Sequence, residues 1–128
     1  MFVNVPLHAV LPASDLDRAK RWYSEKLGLE PASEDEYGGV EYEAGGATFL
    51  VYLSEFAGTN KSTAAGFQVE NFDEAVAALR SNGVVFEDVD FGEMGSTIDG
   101  VITLADGKDK AAWFKDSEGN ILSLSRIG

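Results

Sequence analysis

The chain of 128 residues contains no cysteine and only one histidine. Without cysteine it can form neither a disulfide nor a zinc-thiolate site, and it offers no thiol nucleophile. It also lacks any apolar run near the ~20 residues that a membrane-spanning helix needs. The first eight residues do not join a basic segment to a long apolar one, so they do not resemble a signal peptide. We therefore expect a cytoplasmic protein.

Basic residues are scarce as well. Ten Lys and Arg stand against 22 Asp and Glu, which gives a formal net charge of -12 at pH 7. Binding to phosphates needs clustered Lys and Arg, so this balance argues against nucleic acid and anionic membranes as partners. It permits a cationic ligand, although solubility alone also accounts for an acidic surface.

Turning to what is present, the length fits one domain with a core that needs no disulfide or metal. Apolar spacing and caps predict a strand, a helix and three strands in the first half. These are a strand at 7–11, a helix capped by Ser14 or Asp15 and ended by Gly28, and strands that begin near 29, 40 and 48, with Gly45-Gly46 as a hairpin loop.

The same order of elements then restarts. The second half predicts a strand at 65–69, a helix capped by Asn71 with Glu74 in a capping box, strands at 84–86 and 101–104, and a long acidic loop at 87–100. A closing hairpin spans 110–125, and its turn is Asp116-Ser-Glu-Gly-Asn120. We place one module at about 1–54, a linker at about 55–62 and a second module at about 63–128.

An internal repeat supports this division. Asp15-Leu-Asp-Arg-Ala19 matches Asn71-Phe-Asp-Glu-Ala75 at an offset of 56 residues, 71 minus 15. One half alone would leave its sheet face wet, so the two halves are expected to share a core. In the closing strand, Leu122 and Leu124 alternate with Ser123, which indicates one face on the core and one facing a cavity.

The closing turn and the first helix, Asp15 to Gly28, resemble the vicinal oxygen chelate superfamily, which includes glyoxalase I, bleomycin-resistance proteins and extradiol dioxygenases. The family's Asp-Pro-Asp-Gly-Asn turn is Asp116-Ser-Glu-Gly-Asn120 here. The resemblance covers essentially the whole chain. It implies an α+β fold of two βαβββ modules whose mixed sheets form a cup, and a homodimer.

In metal-dependent members of that family, four His or Glu ligands line the cup. By position they fall at His8, Val51 (within one residue), Ala64 and Ser123. One ligand-type residue in four is short of the about three protein ligands that a catalytic metal generally requires. We therefore expect no metal cofactor, although a site built from carboxylates such as Glu55 or Glu70 stays open.

Single residues admit two interpretations each. His8 is either a hydrogen-bonded core histidine or a cavity-facing donor or general base. Trp113 is either core or a stacking platform for a flat or cationic ligand, and Phe67 fits either face. The acidic and aromatic loop after Phe86 is either solvated or placed over a cavity mouth.

Three functional hypotheses follow. The first is metal-free binding of a small organic ligand, cationic or aromatic, by His8, Val51, Phe67, Trp113 and Ser123, with His8 as the candidate catalytic residue if there is chemistry. The second is a metal-dependent enzyme, either a glyoxalase-like lyase or isomerase or an extradiol-type dioxygenase, with unusual ligands. The third is a regulatory or oligomerisation domain whose cup is filled by side chains such as Phe49.

Overall fold

The computed structural model describes residues 1–104 and 106–127, which form eight strands and two helices. The first half contains β1 (Ala9–Ala13), α1 (Leu16–Leu27), β2 (Ser33–Glu34), β3 (Gly39–Ala44) and β4 (Ala47–Leu53). The second contains β5 (Thr63–Gln68), α2 (Phe72–Ser81), β6 (Val101–Thr103), β7 (Lys110–Lys115) and β8 (Ile121–Arg126). Neither helix in this part of the chain is long and apolar enough to cross a bilayer.

Local chemistry sets both helix boundaries. Of the two candidate caps of α1, Asp15 is the one used, because its carboxylate accepts a hydrogen bond from the Arg18 N–H at 3.0 Å. Gly28 ends α1 in the left-handed conformation, with φ +67°. At α2, Asn71 and Glu74 form the predicted reciprocal capping box.

The strands form two four-stranded mixed sheets, ordered β1-β4-β3-β2 and β5-β8-β7-β6. In each sheet the first strand pairs in parallel with the last strand of its half, and the remaining pairs are antiparallel. The edge strands β1 and β5 lie beside each other. This arrangement confirms the predicted α+β class with two βαβββ modules.

One face of each sheet packs on the helices, and this inner face is shared between the halves. Val40, Tyr42 and Val51 of the first sheet are at most 2% exposed. Aromatic contacts cross between the halves: Phe49 meets Phe67 edge to face at 6.5 Å, and Trp22 stacks on Phe114 at 6.2 Å. Neither half could bury these rings alone, which is the physical reason for the repeat.

The strand predicted at 7–11 begins at Ala9 instead, and two further predicted strands differ more from those observed. The segment 84–86 is not a strand, since only Phe86 forms an isolated bridge, to Phe114, and β6 takes the rest of that edge of β7. The strand expected from Leu29 begins at Ser33 instead. The Leu29 N–H is committed to the carbonyl of Tyr23 at 3.0 Å, which completes the C-terminal cap of α1.

Candidate functional site

The outer face of each sheet points away from the helices and carries most of the residues proposed from the sequence. Side chains alternate along a strand, so the buried Leu11 and Ala13 leave Val10 on the outer face, where it is 48% exposed. In the second sheet the buried Phe114 and Leu122 leave Trp113 and Ser123 on the outer face. We use the terms inner face and outer face in this sense below.

His8 lies just before β1 and is exposed, so its interpretation as a core histidine is wrong. Its Nδ1 is 3.5 Å from the hydroxyl of Thr48, the residue before Phe49 in β4. Burying a polar side chain is costly unless it forms hydrogen bonds in the core. In agreement with this, β1 begins at Ala9, and His8 lies outside it. The imidazole is therefore free to meet solvent or a ligand.

His8 and Phe67 line a common cavity of about 180 Å³ between β1, β4 and β5, which we call the junction cavity. Its other walls are mainly apolar and include Leu11, Phe49 and Leu122. An apolar cavity of about 150 Å³ is large enough for a single benzene ring. The junction cavity could therefore hold one small ring, with the imidazole among its few polar groups.

Trp113 lies in a different place, at a larger cavity of about 390 Å³ on the outer face of the second sheet, which we call the Trp113 cavity. The indole Nε1 donates a hydrogen bond to the Thr63 hydroxyl at 3.1 Å, which fixes the ring. Phe91, from the acidic loop, lies at a ring distance of 5.1 Å and a tilt of 53°. The loop over a cavity mouth, one of the two interpretations of this segment, is the arrangement found.

Charges of both signs border the Trp113 cavity. Glu87 and Asp88 come from the loop, and Lys61 and Lys115 also line the cavity. Lys115 Nζ is 3.9 Å from the carboxylate of Glu87, a contact between exposed groups that is worth little energetically. The rim can therefore rearrange around a charged ligand at small cost.

Ser123 pairs across the sheet with both Trp113 and Gly66. A side chain at position 66 would begin only 2.5 Å from the Ser123 hydroxyl, so glycine leaves this part of the outer face open. The sheet register also refines one position inferred from the family. Ala9 pairs with Phe49 as Ala65 pairs with Leu122, so Leu50, and not Val51, corresponds to Ser123. Val51 itself is 1% exposed, in the core.

The residues at the four family positions do not fit a divalent cation. By this register they are His8, Leu50, Ala64 and Ser123, which offer one imidazole and one hydroxyl. Metals of this kind require about three ligands of the imidazole or carboxylate type. Glu55 and Glu70 are exposed and line neither cavity, and among residues 1–104 and 106–127 no three His, Asp or Glu side chains cluster to hold an ion.

Sequence reasoning missed a polar clasp at the turn of the closing hairpin. The Glu118 carboxylate, whose side chain is wholly buried, accepts hydrogen bonds from the backbone N–H groups of Ser14 and Asp15, both at 3.0 Å. It also accepts from Arg18 Nε at 2.8 Å. Burial by itself would raise the pKa of Glu118, but the bonds from Arg18, Ser117 and Asp15 outweigh it and lower the pKa to about 2.

Asp116 forms the second part of this clasp. It accepts from the Tyr23 hydroxyl at 2.7 Å and from the backbone N–H of Asn120 at 2.9 Å. The Asn120 amide then donates to the Pro12 carbonyl at 2.9 Å. Burial, together with the neighbouring Asp116 charge, raises the pKa of Tyr23. The turn residues themselves signalled the local bonds, whereas their partners in α1 and β1 are about a hundred residues away in sequence.

Comparison with known proteins identifies the family of this chain. The model of the Glyoxalase/Bleomycin resistance protein/Dioxygenase superfamily matches residues 6–124. The chain therefore belongs to this superfamily, as its closing turn and repeat indicated. No curated protein matches the sequence.

Solved structures of the same fold are similar over nearly their whole length. A glyoxalase family protein from Enterococcus faecalis has a TM-score of 0.72 and 23% identity, covering 98% of this chain and 99% of that one. A lactoylglutathione lyase from Agrobacterium tumefaciens has a TM-score of 0.70 and 15% identity, covering 96% and 93%. A fosfomycin resistance protein from Listeria monocytogenes, solved with manganese(II), has a TM-score of 0.69 and 13% identity, covering 95% and 89%.

Proposed function

We propose that this protein binds a small organic molecule in the Trp113 cavity without the help of a metal ion. One observation carries the proposal: a tryptophan and a phenylalanine ring border a cavity of about 390 Å³ on the outer face of the second sheet. This volume lies in the range of ligand pockets, about 300–1,000 Å³. The bond from Trp113 to Thr63 holds the indole in place before a ligand arrives, which lowers the entropy cost of binding.

The chemistry of the cavity favours an aromatic ligand, either neutral or cationic. A flat ring can stack on the indole, and a cation gains from the negative face of the ring. Glu87 and Asp88 at the rim, and the net charge of -12 over the chain, add attraction for a cation. Lys61 and Lys115 weaken this preference, so aromatic character matters more than charge.

Binding without a metal is supported by the poor fit of the family positions to a divalent ion. The related structures named above include a lactoylglutathione lyase and a fosfomycin resistance protein solved with manganese(II). Here the corresponding residues include Leu50 and Ala64, which carry no donor atoms. The outer face can therefore bind a ligand through its apolar area. On this proposal it offers no metal ion to which an anionic oxygen of a ligand could coordinate.

Calorimetry tests this proposal directly. A panel would contain a neutral naphthyl alcohol, the matching ammonium and carboxylate, and a basic glycopeptide antibiotic. We expect saturable binding of the alcohol and the ammonium, and at least a tenfold weaker affinity in Trp113→Ala. Trp22→Phe serves as the matched control, because Trp22 packs on Tyr23 and Phe114 and lies outside the cavity. An absence of saturable binding across the panel would overturn the proposal.

A second candidate function is a metal-dependent enzyme of the lyase, isomerase or dioxygenase type. The observation in its favour is the exposed imidazole of His8 at the junction cavity, since a free imidazole can ligate a metal or move a proton near neutral pH. Elemental analysis of protein purified without chelator separates the two functions. A stoichiometric ion, or turnover abolished by chelator and by His8→Ala, would reverse the order of the candidates.

The proposal includes a homodimer in the cytoplasm. The outer face of the first sheet exposes Val10 and Tyr52, and Leu53 follows them at 56% exposure. A second copy could cover this apolar surface and complete each cup with one sheet from each chain. Light scattering after size exclusion would measure the mass, and Val10→Glu should release monomers. A monomeric wild type would reject the dimer, and cell fractionation tests the location.

A further inference from the structure

A second apolar cavity lies on the inner side of the sheets, between the ends of the two helices. It has a volume of about 400 Å³, and we call it the helix groove. Its walls include Leu27 and Leu29 at the end of α1, Ala78 and Leu79 of α2, and Phe114 and Leu124 of the second sheet. Since Phe114 and Leu124 point to the opposite face from Trp113, this groove is separate from the Trp113 cavity.

The polar groups at the mouth of the groove are already paired with one another. Lys26 Nζ donates to the Asn82 carbonyl at 2.8 Å, and the Asn82 amide donates to the Lys26 carbonyl at 3.1 Å. These reciprocal bonds also tie the end of α1 to the end of α2. A ligand in the groove would meet a mouth whose polar groups already have partners, beside walls that are mainly apolar.

The helix dipoles also disfavour an anionic ligand at the mouth of the groove. α1 ends at Leu27 and α2 at Ser81, so both carbonyl ends, which carry partial negative charge, lie at this mouth. A carboxylate or phosphate is disfavoured there by these ends, which Lys26 in the last turn of α1 and Arg80 in the last turn of α2 already complement. The walls offer apolar area and no free partner for a charged head.

From these observations we propose that the helix groove binds an uncharged, apolar small molecule of one or two rings. The reciprocal bonds at the mouth, the negative helix ends and the volume select this class over fatty acids and other amphiphilic anions. Phe67 and Ala44 line both this groove and the junction cavity, so the two spaces meet at the ring of Phe67. The proposal stands independently of ligand binding at Trp113.

The test uses the neutral fluorescent probe N-phenyl-1-naphthylamine and two matched variants of α2. Ala77 and Ala78 are neighbouring exposed residues of the same helix, but only Ala78 lines the groove. We expect saturable fluorescence enhancement with Trp113→Ala, which removes the Trp113 cavity as a binding site. The affinity should be at least tenfold weaker when Ala78→Trp is added to this protein, and unchanged when Ala77→Trp is added instead. Equal affinity in both variants would overturn the proposal.

Competition establishes the ligand class. 1-Naphthylmethanol should displace the probe, and 1-naphthoate at the same concentration should not; displacement by both would reject the preference for uncharged molecules. Nuclear Overhauser contacts from the probe to the methyl groups of Leu79 and Leu124 give a reading on the wild type alone. If the wild type binds no probe and Ala78→Trp instead dissociates a dimer, the occupant is a second copy of the chain and the proposal fails.

Discussion

The Glu118 carboxylate in the closing hairpin is held by the Arg18 guanidinium of α1, through Nε at 2.8 Å and Nη2 at 3.0 Å. Only the Glu118 end of this ion pair is shielded from solvent, because its side chain is wholly buried whereas that of Arg18 is 46% exposed. The same carboxylate caps the free N–H groups before α1. Glu118 therefore connects the turn of the closing hairpin, in the second module, to the start of α1 in the first module.

Replacing Glu118 should loosen this clasp. Glu118→Gln keeps the shape, but its single amide oxygen can replace only one of the two carboxylate oxygens. Its NH2 group then faces either the Ser14 and Asp15 N–H groups or Arg18 Nε, so we expect a loss of about 2 kcal/mol in the free energy of unfolding. Urea titration measures it. The control is Glu25→Gln, which makes the same change of charge at an exposed position of α1 and should alter stability by less than about 0.5 kcal/mol. Equal effects of both substitutions would contradict the role of the clasp.

The clasp also predicts a pH dependence of stability. The pKa of Glu118 is lowered to about 2 in the folded chain, while an unfolded glutamate titrates near 4.3. The stabilisation is therefore fully present above the unfolded value and is lost as the pH falls towards 2. The free energy of unfolding of the wild type should decrease as the pH falls from about 4.3 to about 2, and that of Glu118→Gln should lack this decrease. Parallel pH profiles for the two proteins would refute the assignment.

Two buried tyrosines offer a matched comparison of hydrogen bonding. The rings of Tyr23 and Tyr42 are 5.3 Å apart, but only Tyr23 has a hydroxyl partner, Asp116, among the described residues. Burial raises the pKa of Tyr42 to about 12. Tyr42→Phe removes an unsatisfied hydroxyl and should raise stability by about 1 kcal/mol, whereas Tyr23→Phe should lower it by about 2 kcal/mol.

Thermal and urea unfolding of both variants measure these changes. The prediction concerns the difference in sign, which does not depend on the exact size of either effect. A Tyr42→Phe variant that is less stable than the wild type would show that the Tyr42 hydroxyl has a partner, such as a buried water.

A comparison of Gly46 and Gly119 distinguishes the cost of backbone strain from the cost of a steric clash. Gly46 and Gly119 have nearly equal φ values, +82° and +85°, so alanine meets a similar conformational penalty of about 1 kcal/mol at each. A Cβ at Gly46 has nothing within 4 Å, whereas one at Gly119 would lie 2.8 Å from the Gly58 Cα. Gly119→Ala should therefore cost roughly 1–3 kcal/mol more than Gly46→Ala. Equal costs, measured by urea unfolding, would show that the 54–62 segment can move away.

The elements that were predicted correctly depend on neighbours in sequence. The α1 cap, the Asn71–Glu74 capping box, the Gly45-Gly46 loop and the alternation of Leu122, Ser123 and Leu124 are each determined within about five residues. The segment 84–86 was misassigned for the opposite reason. Its apolar run fits a strand or a buried loop equally well, and the choice depended on whether β7 had a free edge.

The candidate site divides in the same way. The sequence pointed to Ser123 as an outward-facing residue of a hairpin, because alternation along a strand follows from the pleat. It left Trp113 open between the core and a stacking platform, and the sheet register places it on the outer face beside Ser123. It could not place His8, since its burial depends on where β1 begins, nor could it show that Phe67 borders a cavity apart from Trp113. Phe91 was noticed only as part of an acidic loop.

By itself, the sequence determined the two βαβββ units, their shared core and the absence of ligand-type side chains at most family metal positions. The units and their shared core follow from local periodicity, caps and residue chemistry, which act over short stretches of chain, whereas the metal positions follow from the resemblance to the superfamily. The tertiary structure alone decided the clasp between Glu118 and Arg18, the two separate cavities around Phe67 and Trp113, and the groove between the helix ends. Each of these joins residues from distant parts of the chain, and only the packing of the two sheets and helices brings them together.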